Sequence, residues 1–439
     1  MRLKLPWPDH FVLLCFFVCL LVPRVGLSAA GYLPQVPNDP SRLEFYLHTV
    51  EVGDQVWNNF GHDAIRVVNP EEGTDLVYNW GIFDFSNPFS FAFTFYKGIL
   101  IYQLGIYPFA TAQRIYRAEG RTVWEDRLLL DTEQKLRLME RLAFQAQPEN
   151  RPYRYLYFAD NCSTRPRDYI DEASNGAVGQ VAKDHLTGES YRDMVRSHYA
   201  SIPFVRLSLD LLMNRRIDQE MSLWDKMFLP KTLRAVLLTA SVPSKDGGSP
   251  RPLLEEGRKL ADTPAPQPYP SFVDRLILLV FAAPLLLAGV SLRHSPASRA
   301  KGPIPKILLR TAGLTGLILA ILAGTYGVMM PLTWAFSEHL DLHHNANMLL
   351  FWPMDYLLAV PAATWLFRGR PWQGSARAVM GFRAFAVLHL ALTAVQLLLV
   401  QTQGVTQHVD LVWQVLAPCN VALWLLVLRR GVALAEAQP

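Results

Sequence analysis

Hydrophobic and polar residues follow two different patterns along this chain. Between residues 31 and 240, short stretches such as LEFYLHTVEV and DAIRVV have the apolar alternation of half-buried strands. The stretch TEQKLRLMERLAFQ instead spaces its apolar residues at helical intervals, with Asp131 or Thr132 as a candidate N-cap. The pattern predicts an α+β domain over residues 31–240, large enough for a core of its own.

Five long apolar runs follow this domain. Each has close to the ~20 residues that a helix needs to cross the hydrocarbon core of a bilayer. The runs cover residues 273–292, 307–330, 347–367, 382–401 and 409–428. We therefore expect an all-α bundle of five transmembrane helices over residues 272–430, followed by a cytoplasmic tail at 431–439.

Two further segments have other patterns. Residues 1–30 begin with basic residues, continue with an apolar run at 11–22 and end in small residues up to Ala30, which is the order of an export signal. They are predicted to be a signal peptide cleaved after Ala30, or else an N-terminal membrane anchor. Residues 241–271 are rich in proline, glycine and charge, and this composition predicts a linker.

Composition and charge narrow the possible functions. The chain has 439 residues, of which 51% are hydrophobic and 18% are charged, so it is more apolar than a typical soluble domain. Its net charge of +4 is small, and no long basic run supports a nucleic-acid partner. The sequence also has no glycine-rich phosphate loop and no paired-cysteine zinc motif. We expect an integral membrane protein without a metal or cofactor.

The basic residues between the apolar runs predict the orientation of the chain. Lysine and arginine follow the first, third and fifth runs, whereas the loops at 331–346 and 402–408 contain neither residue. Because basic loops stay in the cytoplasm, those two loops and the N-terminal domain are expected to face outside. The N-terminal domain is therefore predicted to be extracytoplasmic.

One cysteine is alone in the predicted extracytoplasmic domain. Cys15 and Cys19 lie in the export segment and Cys419 lies in the last apolar run, so Cys162 has no disulfide partner in its own domain. A lone thiol in an oxidising compartment is either buried or used in a reaction. This observation alone leaves both interpretations open.

The neighbours of Cys162 favour a reactive thiol. The stretch STRPRDYIDEA, which follows it directly, has the features of a helix start. A thiol at a helix N-terminus, near Arg165 or Arg167, is expected to have a lowered pKa. A thiolate nucleophile also needs a group that exchanges protons with it, and histidine is the usual one.

His62 is the strongest candidate for that proton partner. It directly follows Gly61 and opens a strand-like stretch, and a glycine at this point permits an unusual turn. His185 and His198 lie in polar, helix-like stretches and are interpreted as ordinary hydrogen-bonded histidines.

A phenylalanine-rich stretch, NPFSFAFTFYKGILIY, lies between His62 and Cys162 in the sequence. Its phenylalanines at 89, 91, 93 and 95 have period two, which predicts one face of a strand. Core packing is the favoured interpretation. The alternative is a surface that contacts acyl chains or the membrane beside the site.

Several motifs taken together resemble one family. GHDAIRV, YNWGIFDF, KGILIYQL and PENRPYRYLYFADNCSTRPRDYI are similar to the extracytoplasmic domain of the lipoprotein intramolecular transacylase family, Lnb, and of its Gram-negative relatives. The resemblance covers most of residues 40–235, and HHNANMLLFWPMDYL is similar to the family's membrane region. Histidine before cysteine, with Asn-Cys at a helix start, also resembles the circularly permuted papain-like group, which includes lecithin:retinol acyltransferase and relatives of NlpC-type peptidases.

The resemblance implies a circularly permuted papain-like fold and roles for individual residues. Cys162 matches the nucleophile and His62 matches the base. A polar residue on the following strand orients the imidazole, and Asn79 is the better match by strand order, while Asp84 is the other candidate. The residues expected to bind substrate are Asn161, Arg165 and Asp84.

The implied activity is acyl transfer through a thioester on Cys162. The acyl chain would leave the glycerol ester of a diacylglyceryl lipoprotein and end on the α-amine of its N-terminal cysteine, so the partners would be membrane lipids and lipoproteins. Two alternatives remain open: a cell-envelope cysteine hydrolase acting on peptidoglycan amides or phospholipid esters, and a non-enzymatic envelope scaffold. Five spans favour a membrane-borne substrate over a soluble cell-wall peptide.

Overall fold

The chain forms two compact units. A computed structural model describes residues 32–435 except 54, 84–87, 243–249, 271, 294–302, 403 and 405. The predicted export segment and Asp84 lie outside the described residues. The first unit, here called the sheet unit, contains the chain up to Glu189 together with Glu220–Pro266, and the second, the helical unit, contains Ser190–Gln219 together with Gln267–Pro439.

The elements are numbered in chain order. The strands are β1 (Glu44–Val50), β2 (His62–Asn69), β3 (Thr74–Ile82), β4 (Ile101–Pro108), β5 (Val123–Leu128), β6 (Pro152–Arg154), β7 (Leu186–Ser190), β8 (Glu220–Ser222), β9 (Ser241–Val242), β10 (Arg251–Pro252), β11 (Leu254–Ala261), β12 (Trp372–Gly374) and β13 (Val432–Leu434). The α-helices are α1 (Pro88–Lys97), α2 (Phe109–Glu119), α3 (Thr132–Ala146), α4 (Thr164–Ala173), α5 (Ala177–Ala182), α6 (Tyr191–His198), α7 (Pro203–Leu212), α8 (Leu223–Lys226), α9 (Pro230–Thr239), α10 (Phe272–Arg293), α11 (Pro303–Phe336), α12 (Ala359–Arg368), α13 (Ala376–Gln401) and α14 (Asp410–Leu426). Short 3-10 helices cover Pro40–Arg42, Val56–Asn58, Tyr199–Ser201, Arg215–Asp218, Leu340–Leu342, Ala346–Leu349 and Pro353–Leu358, and a π-helical turn covers Val427–Gly431.

The sheet unit is built around a seven-stranded sheet with the order β11-β5-β1-β2-β3-β4-β6. Each neighbouring pair of strands is antiparallel. Alternate residues of β2 pack into two cores: Ile65 and Val67 share one with α3 and α4, whereas Ala64 shares the other with α2. The mixed α and β content predicted for the N-terminal region is confirmed. The circular permutation stays a prediction.

Residues 251–261, which lie within the predicted linker at 241–271, contain strands β10 and β11. β11 pairs with β5, and the leucines at 253 and 254 are buried in the main core. At Gly257 an added Cβ would lie 2.0 Å from the Glu125 carbonyl oxygen, so only glycine fits the close approach of the two strands. Two buried leucines within a polar, proline-rich stretch were too short an apolar signal to predict a strand.

Among its described residues, the helical unit has four helices long and apolar enough to cross a membrane, or five if one bent pair counts as a span. The four are α10, α11, α13 and α14 with its π-helical extension. The third predicted run, 347–367, is the bent pair, whose halves Leu340–Leu349 and Pro353–Arg368 meet at 54°. Pro353 explains the break, because a proline disfavours helical backbone at the residue before it, and Trp352 is extended. Five continuous helices were expected, and this one is discontinuous.

Residues 190–219 belong to the helical unit, although the sequence placed them inside the domain at 31–240. The Asn214 side chain donates to the carbonyl oxygens of Leu340 at 2.7 Å and His343 at 2.5 Å. The Asn345 side chain donates to the carbonyl oxygens of Leu211 and Leu212. These amide contacts join distant parts of the chain, so the boundary was not visible in local composition.

The phenylalanine-rich stretch is helical in α1, and the strand prediction is wrong. Pro88 is the first residue of the helix, where its missing N–H costs nothing. Gly98 ends it with φ +74°, and the N–H of Gly98 and that of Ile99 bond back to Phe95 and Thr94. The helix-terminating signals at both ends therefore outweigh the period-two spacing of the rings.

Candidate active site

His62 lies at the first position of β2, where the backbone requires glycine before it. Gly61 has φ +83°, and an added Cβ would lie 2.7 Å from the Val50 carbonyl oxygen. His62 Nε2 lies 2.7 Å from Oδ1 of Asn79 on β3. Asn79 Nδ2 donates to the hydroxyl of Tyr107. Since the amide oxygen only accepts, Nε2 carries the proton and Nδ1 keeps a lone pair in the neutral ring.

Burial favours that neutral form of the imidazole. The pKa of His62 is lowered first by burial and then by the positive charge of Arg121, and the hydrogen bond to Asn79 only partly offsets these effects. A neutral ring with a lone pair on Nδ1 is the form that accepts a proton. The arrangement therefore suits His62 to act as a base.

Cys162 lies in a tight loop at the start of α4. Ser163 is the N-cap residue, and the Oδ1 atom of Asn161 accepts hydrogen bonds from the N–H of Ser163 at 2.8 Å and that of Thr164 at 2.9 Å. The other end of the Asn161 amide donates to the carbonyl oxygens of Tyr157 and Phe228. This asparagine fixes the backbone on both sides of the thiol.

The Cys162 thiol is buried, with 9% of the residue exposed, and it belongs to the core beneath α4. Burial raises the pKa of Cys162, while the backbone N–H of Asp63 and the Ser163 hydroxyl partly lower it. The prediction of a lowered pKa is therefore wrong, because loss of hydration outweighs the donors around the sulfur.

The two arginines expected to activate the thiol are used elsewhere. Arg165 bonds Asp160 through Nε at 2.5 Å and Nη2 at 2.7 Å. Arg167 bonds the adjacent Asp168 and the carbonyl oxygen of Trp224. Both guanidinium groups are therefore bonded to partners other than the sulfur.

Arg121 supplies positive charge to both candidate catalytic groups. It follows α2, where it bonds the Glu119 carboxylate and donates to the Glu51 carbonyl oxygen at 3.2 Å. Its charge lowers the pKa of Cys162 and also lowers the pKa of His62. Sequence reasoning missed this residue, because no local motif links Arg121 to either group.

The structure brings His62 to Asn79 but gives no direct hydrogen bond between His62 and Cys162, both of which are described. Successive residues of a strand point to opposite faces, so His62 and Asp63 diverge, and it is the Asp63 backbone that lies beside the thiol. Catalytic hydrogen bonds are often loose without substrate and tighten in the reactive complex. The Cys162–His62 pair stays a proposal.

The expected substrate-binding residues have structural contacts. The amide of Asn161 is used at both ends as a cap, and Arg165 pairs with Asp160 while stacking 4.1 Å from the ring centre of Tyr153. Asp84, the other candidate for orienting the imidazole, is outside the described residues. These contacts indicate that Asn161 and Arg165 position the loop that carries Cys162.

Asp63 is an unexpected part of the site. Its side chain is fully buried, and neither carboxylate oxygen has a hydrogen-bond partner of good geometry among the described residues. The pKa of Asp63 is raised to about 8, mainly by burial and to a smaller extent by the nearby Cys162 thiol, although the Ser163 and Thr49 hydroxyls partly lower it. The only sequence signal was its place directly after His62. A protonated carboxyl group is therefore expected beside the thiol at neutral pH.

Replacing Asp63 with asparagine is expected to flatten the dependence of stability on pH. Because the folded-state pKa of Asp63 exceeds its unfolded value, its contribution is full below pH ~4 and is lost as pH rises through about 8. At pH ~9 the variant should be more stable by at least about 1 kcal/mol. Thermal midpoints measured at several pH values test this, with the exposed Asp184→Asn as control. Parallel curves for Asp63→Asn and the unmodified protein would contradict the assignment.

The other histidines of the sheet unit have ordinary contacts. His48 is buried between the Tyr116 hydroxyl and the Glu125 carboxylate, each 3.0 Å from one ring nitrogen. His185 is exposed. Neither shares the backbone and side-chain arrangement around Cys162, which leaves His62 as the histidine of the candidate site.

Comparison with known proteins bears on the part of the chain that contains this site. Residues 34–196 match the family model of the Lnb N-terminal periplasmic domain. No curated protein and no solved structure matches the chain. Together with the apolar helices of the helical unit, the match indicates a multi-pass membrane protein with a periplasmic domain. The segment that carries His62, Asn79 and Cys162 thus belongs to the Lnb N-terminal periplasmic domain family.

Proposed function

We propose that this protein is a membrane-bound thiol acyltransferase of lipoprotein processing. It moves an acyl chain from the glycerol ester of a diacylglyceryl lipoprotein to the α-amine of the same lipoprotein's N-terminal cysteine. The observation that carries the proposal is a free thiol at a helix start in the segment that matches the Lnb N-terminal periplasmic domain, a segment that also contains the hydrogen-bonded His62–Asn79 pair. The inner membrane is the expected location.

The first half-reaction forms a thioester on Cys162. His62 takes the thiol proton on Nδ1 as the sulfur attacks the ester carbonyl carbon. Because burial raises the pKa of Cys162, proton removal accompanies the attack and no free thiolate accumulates beforehand. The oxyanion then collapses, the carbon–oxygen bond to glycerol breaks, and the imidazolium gives its proton to the glycerol oxygen.

The second half-reaction releases the acyl chain to nitrogen. The lipoprotein's α-amine attacks the thioester carbonyl, the carbon–sulfur bond breaks, and the departing sulfur regains a proton through His62. Asn79 accepts a hydrogen bond from His62 Nε2–H throughout, which keeps Nδ1 free to exchange the proton with the sulfur. The products are an N-acylated lipoprotein with one free glycerol hydroxyl and the original enzyme.

Burial of the thiol favours transfer over hydrolysis. A hydrolase must admit water to the thioester, whereas the Cys162 residue is only 9% exposed. The ester and the accepting amine belong to one molecule, so the second step is effectively unimolecular. Spans in the same chain keep the enzyme in the membrane that holds such a substrate.

Purified protein in detergent, supplied with a synthetic diacylated lipopeptide, tests the function. The expected product has unchanged mass and carries an acyl group on its N-terminal amine, as shown by tandem mass spectrometry. Loss of one acyl chain with release of free fatty acid would indicate a hydrolase instead. Cleavage of peptidoglycan fragments with intact lipopeptide would indicate a peptidase, and an unchanged mixture of both substrates would favour the scaffold.

A further inference from the structure

Aromatic rings form a row that starts beside the candidate nucleophile. Tyr155 and Tyr102 pack against the core cluster that contains Cys162. Their rings stack with centroids 4.5 Å apart and planes inclined by 26°, and Tyr102 stacks on Phe83 at 5.0 Å and 27°. These three rings, here called the aromatic row, present nearly parallel planes that lead from the core at Cys162 to the surface.

The outer end of the aromatic row is open to solvent. Phe83 is 38% exposed, although a phenylalanine side chain is normally buried. A second line of rings runs from Tyr155 through Tyr157, at 6.1 Å, to Phe95 of α1, at 6.4 Å from Tyr157. Phe95 is itself 44% exposed and Phe93 is 62% exposed. The exposed apolar surface is therefore continuous with the surroundings of the thiol.

The exposed parts of these phenylalanine rings leave apolar surface in contact with solvent. Exposed rings in contiguous groups are rare on soluble surfaces and usually mark a binding site for an apolar ligand. The sulfur is nearly buried, and Tyr155 is close enough to interact with it electrostatically, so the side chains around Tyr155 lie beside an acyl group bonded to the sulfur. Tyr102 is among those side chains.

We propose that the aromatic row binds the acyl chain that Cys162 receives, with the first carbons against Tyr155 and Tyr102 and later carbons against Phe83. This inference rests on the proposed acyl transfer and adds the position of the hydrocarbon. Because the stacked rings cover one another's faces, the chain lies along their edges. This apolar surface fixes no register, so the row selects for hydrocarbon length and not for a particular head group.

Acyl-chain length is the variable that tests the proposal. Each methylene that lies on the row is expected to change kcat/KM by up to about fourfold, until the chain extends past Phe83. Phe83→Ala shortens the row, so its kcat/KM should fall about tenfold with a palmitoyl ester and less with an octanoyl ester. Phe83→Leu keeps apolar area but removes the ring, so its kcat/KM with the palmitoyl ester should lie between those of the unmodified protein and Phe83→Ala.

Phe144→Ala is the matched control. Phe144 is a phenylalanine of α3, 57% exposed, whose side chain packs near Arg141 and not in the aromatic row. Phe144→Ala should leave the dependence of kcat/KM on acyl-chain length unchanged. An equal loss by Phe83→Ala at every chain length would overturn the proposal and indicate that these rings contact the bilayer surface.

A binding measurement separates this inference from the proposed chemistry. An ether-linked lipopeptide cannot transfer its chain, so its affinity for Cys162→Ala protein reports hydrocarbon binding alone. We expect tighter binding of the palmityl than the octyl ether, and a smaller difference in the Cys162→Ala, Phe83→Ala double variant. If the palmityl and octyl ethers bind Cys162→Ala protein with the same affinity, the aromatic row is not the acyl site even if transfer occurs. If length dependence is seen without any transfer by unmodified protein, the proposed function fails and the row stands.

Discussion

Replacing Cys162 with alanine is expected to lower the rate of acyl transfer at least about 10³-fold, because the thioester cannot form without the sulfur. The substitution removes one small atom group from a well-packed core, so the fold should persist. Mass spectrometry of the lipopeptide product measures the rate. Intact protein mass after brief incubation should show an acyl adduct in the unmodified protein and none in Cys162→Ala.

Two comparisons make this result specific. Cys419→Ala removes the other described free cysteine, which lies in α14, and should retain full transfer. His62→Ala should also lose about 10³-fold or more, whereas the exposed His185→Ala should not. Transfer that survives in Cys162→Ala would rule out the thioester mechanism. If Cys162→Ala loses acyl transfer while His62→Ala keeps the normal rate, Cys162 remains the nucleophile and the proton transfer belongs to a group other than His62.

Local pattern and strand order account for part of the geometry of the candidate site. His62 and Asn79 lie on consecutive strands joined by a short turn, and Ala64 pairs with Asn79 in the antiparallel register. A hairpin of this kind brings the two polar side chains together with little help from the rest of the fold. The helix start after Cys162 was likewise readable from its polar residues and Pro166.

The electrostatics of the site depend on distant residues and were not predictable in the same way. The sequence places Arg165 and Arg167 near Cys162, but each is paired within or beside α4. Arg121 acts instead, and it comes from the end of α2. The extent of burial decides the direction of the thiol's pKa shift, and burial is a property of the assembled core.

The fold predictions failed where a few residues decide the backbone. Pro88 and Gly98 set the ends of α1 against the period-two rings. Pro353 breaks the third apolar run, although the hydropathy of that run alone predicts a continuous span. In both cases a backbone restriction outweighs a hydrophobic pattern, because the pattern specifies a face and the restriction specifies the dihedral angles.

One buried arginine holds residues 190–219 together. Arg192 of α6 is fully buried and bonds the Asp218 carboxylate and, at 3.3 Å, that of Asp210. It also donates to the carbonyl oxygens of Met213 and Asn214, each at 3.0 Å. A single guanidinium group therefore joins α6 to the end of α7 and to the turn beyond it.

Replacing Arg192 with methionine is expected to destabilise the helical unit by about 3–5 kcal/mol, because Asp218 and Asp210 stay buried without this cation. Thermal unfolding in detergent and protease sensitivity within residues 190–219 measure the effect. Arg216→Met is the matched control, since Arg216 is exposed and its 3.2 Å contact with Asp341 should contribute less than about 1 kcal/mol. Adding Asp218→Asn to Arg192→Met should restore part of the loss, because it removes one uncompensated buried charge. If Arg192→Met and Arg216→Met shift the midpoint equally, the buried guanidinium does not hold residues 190–219 together.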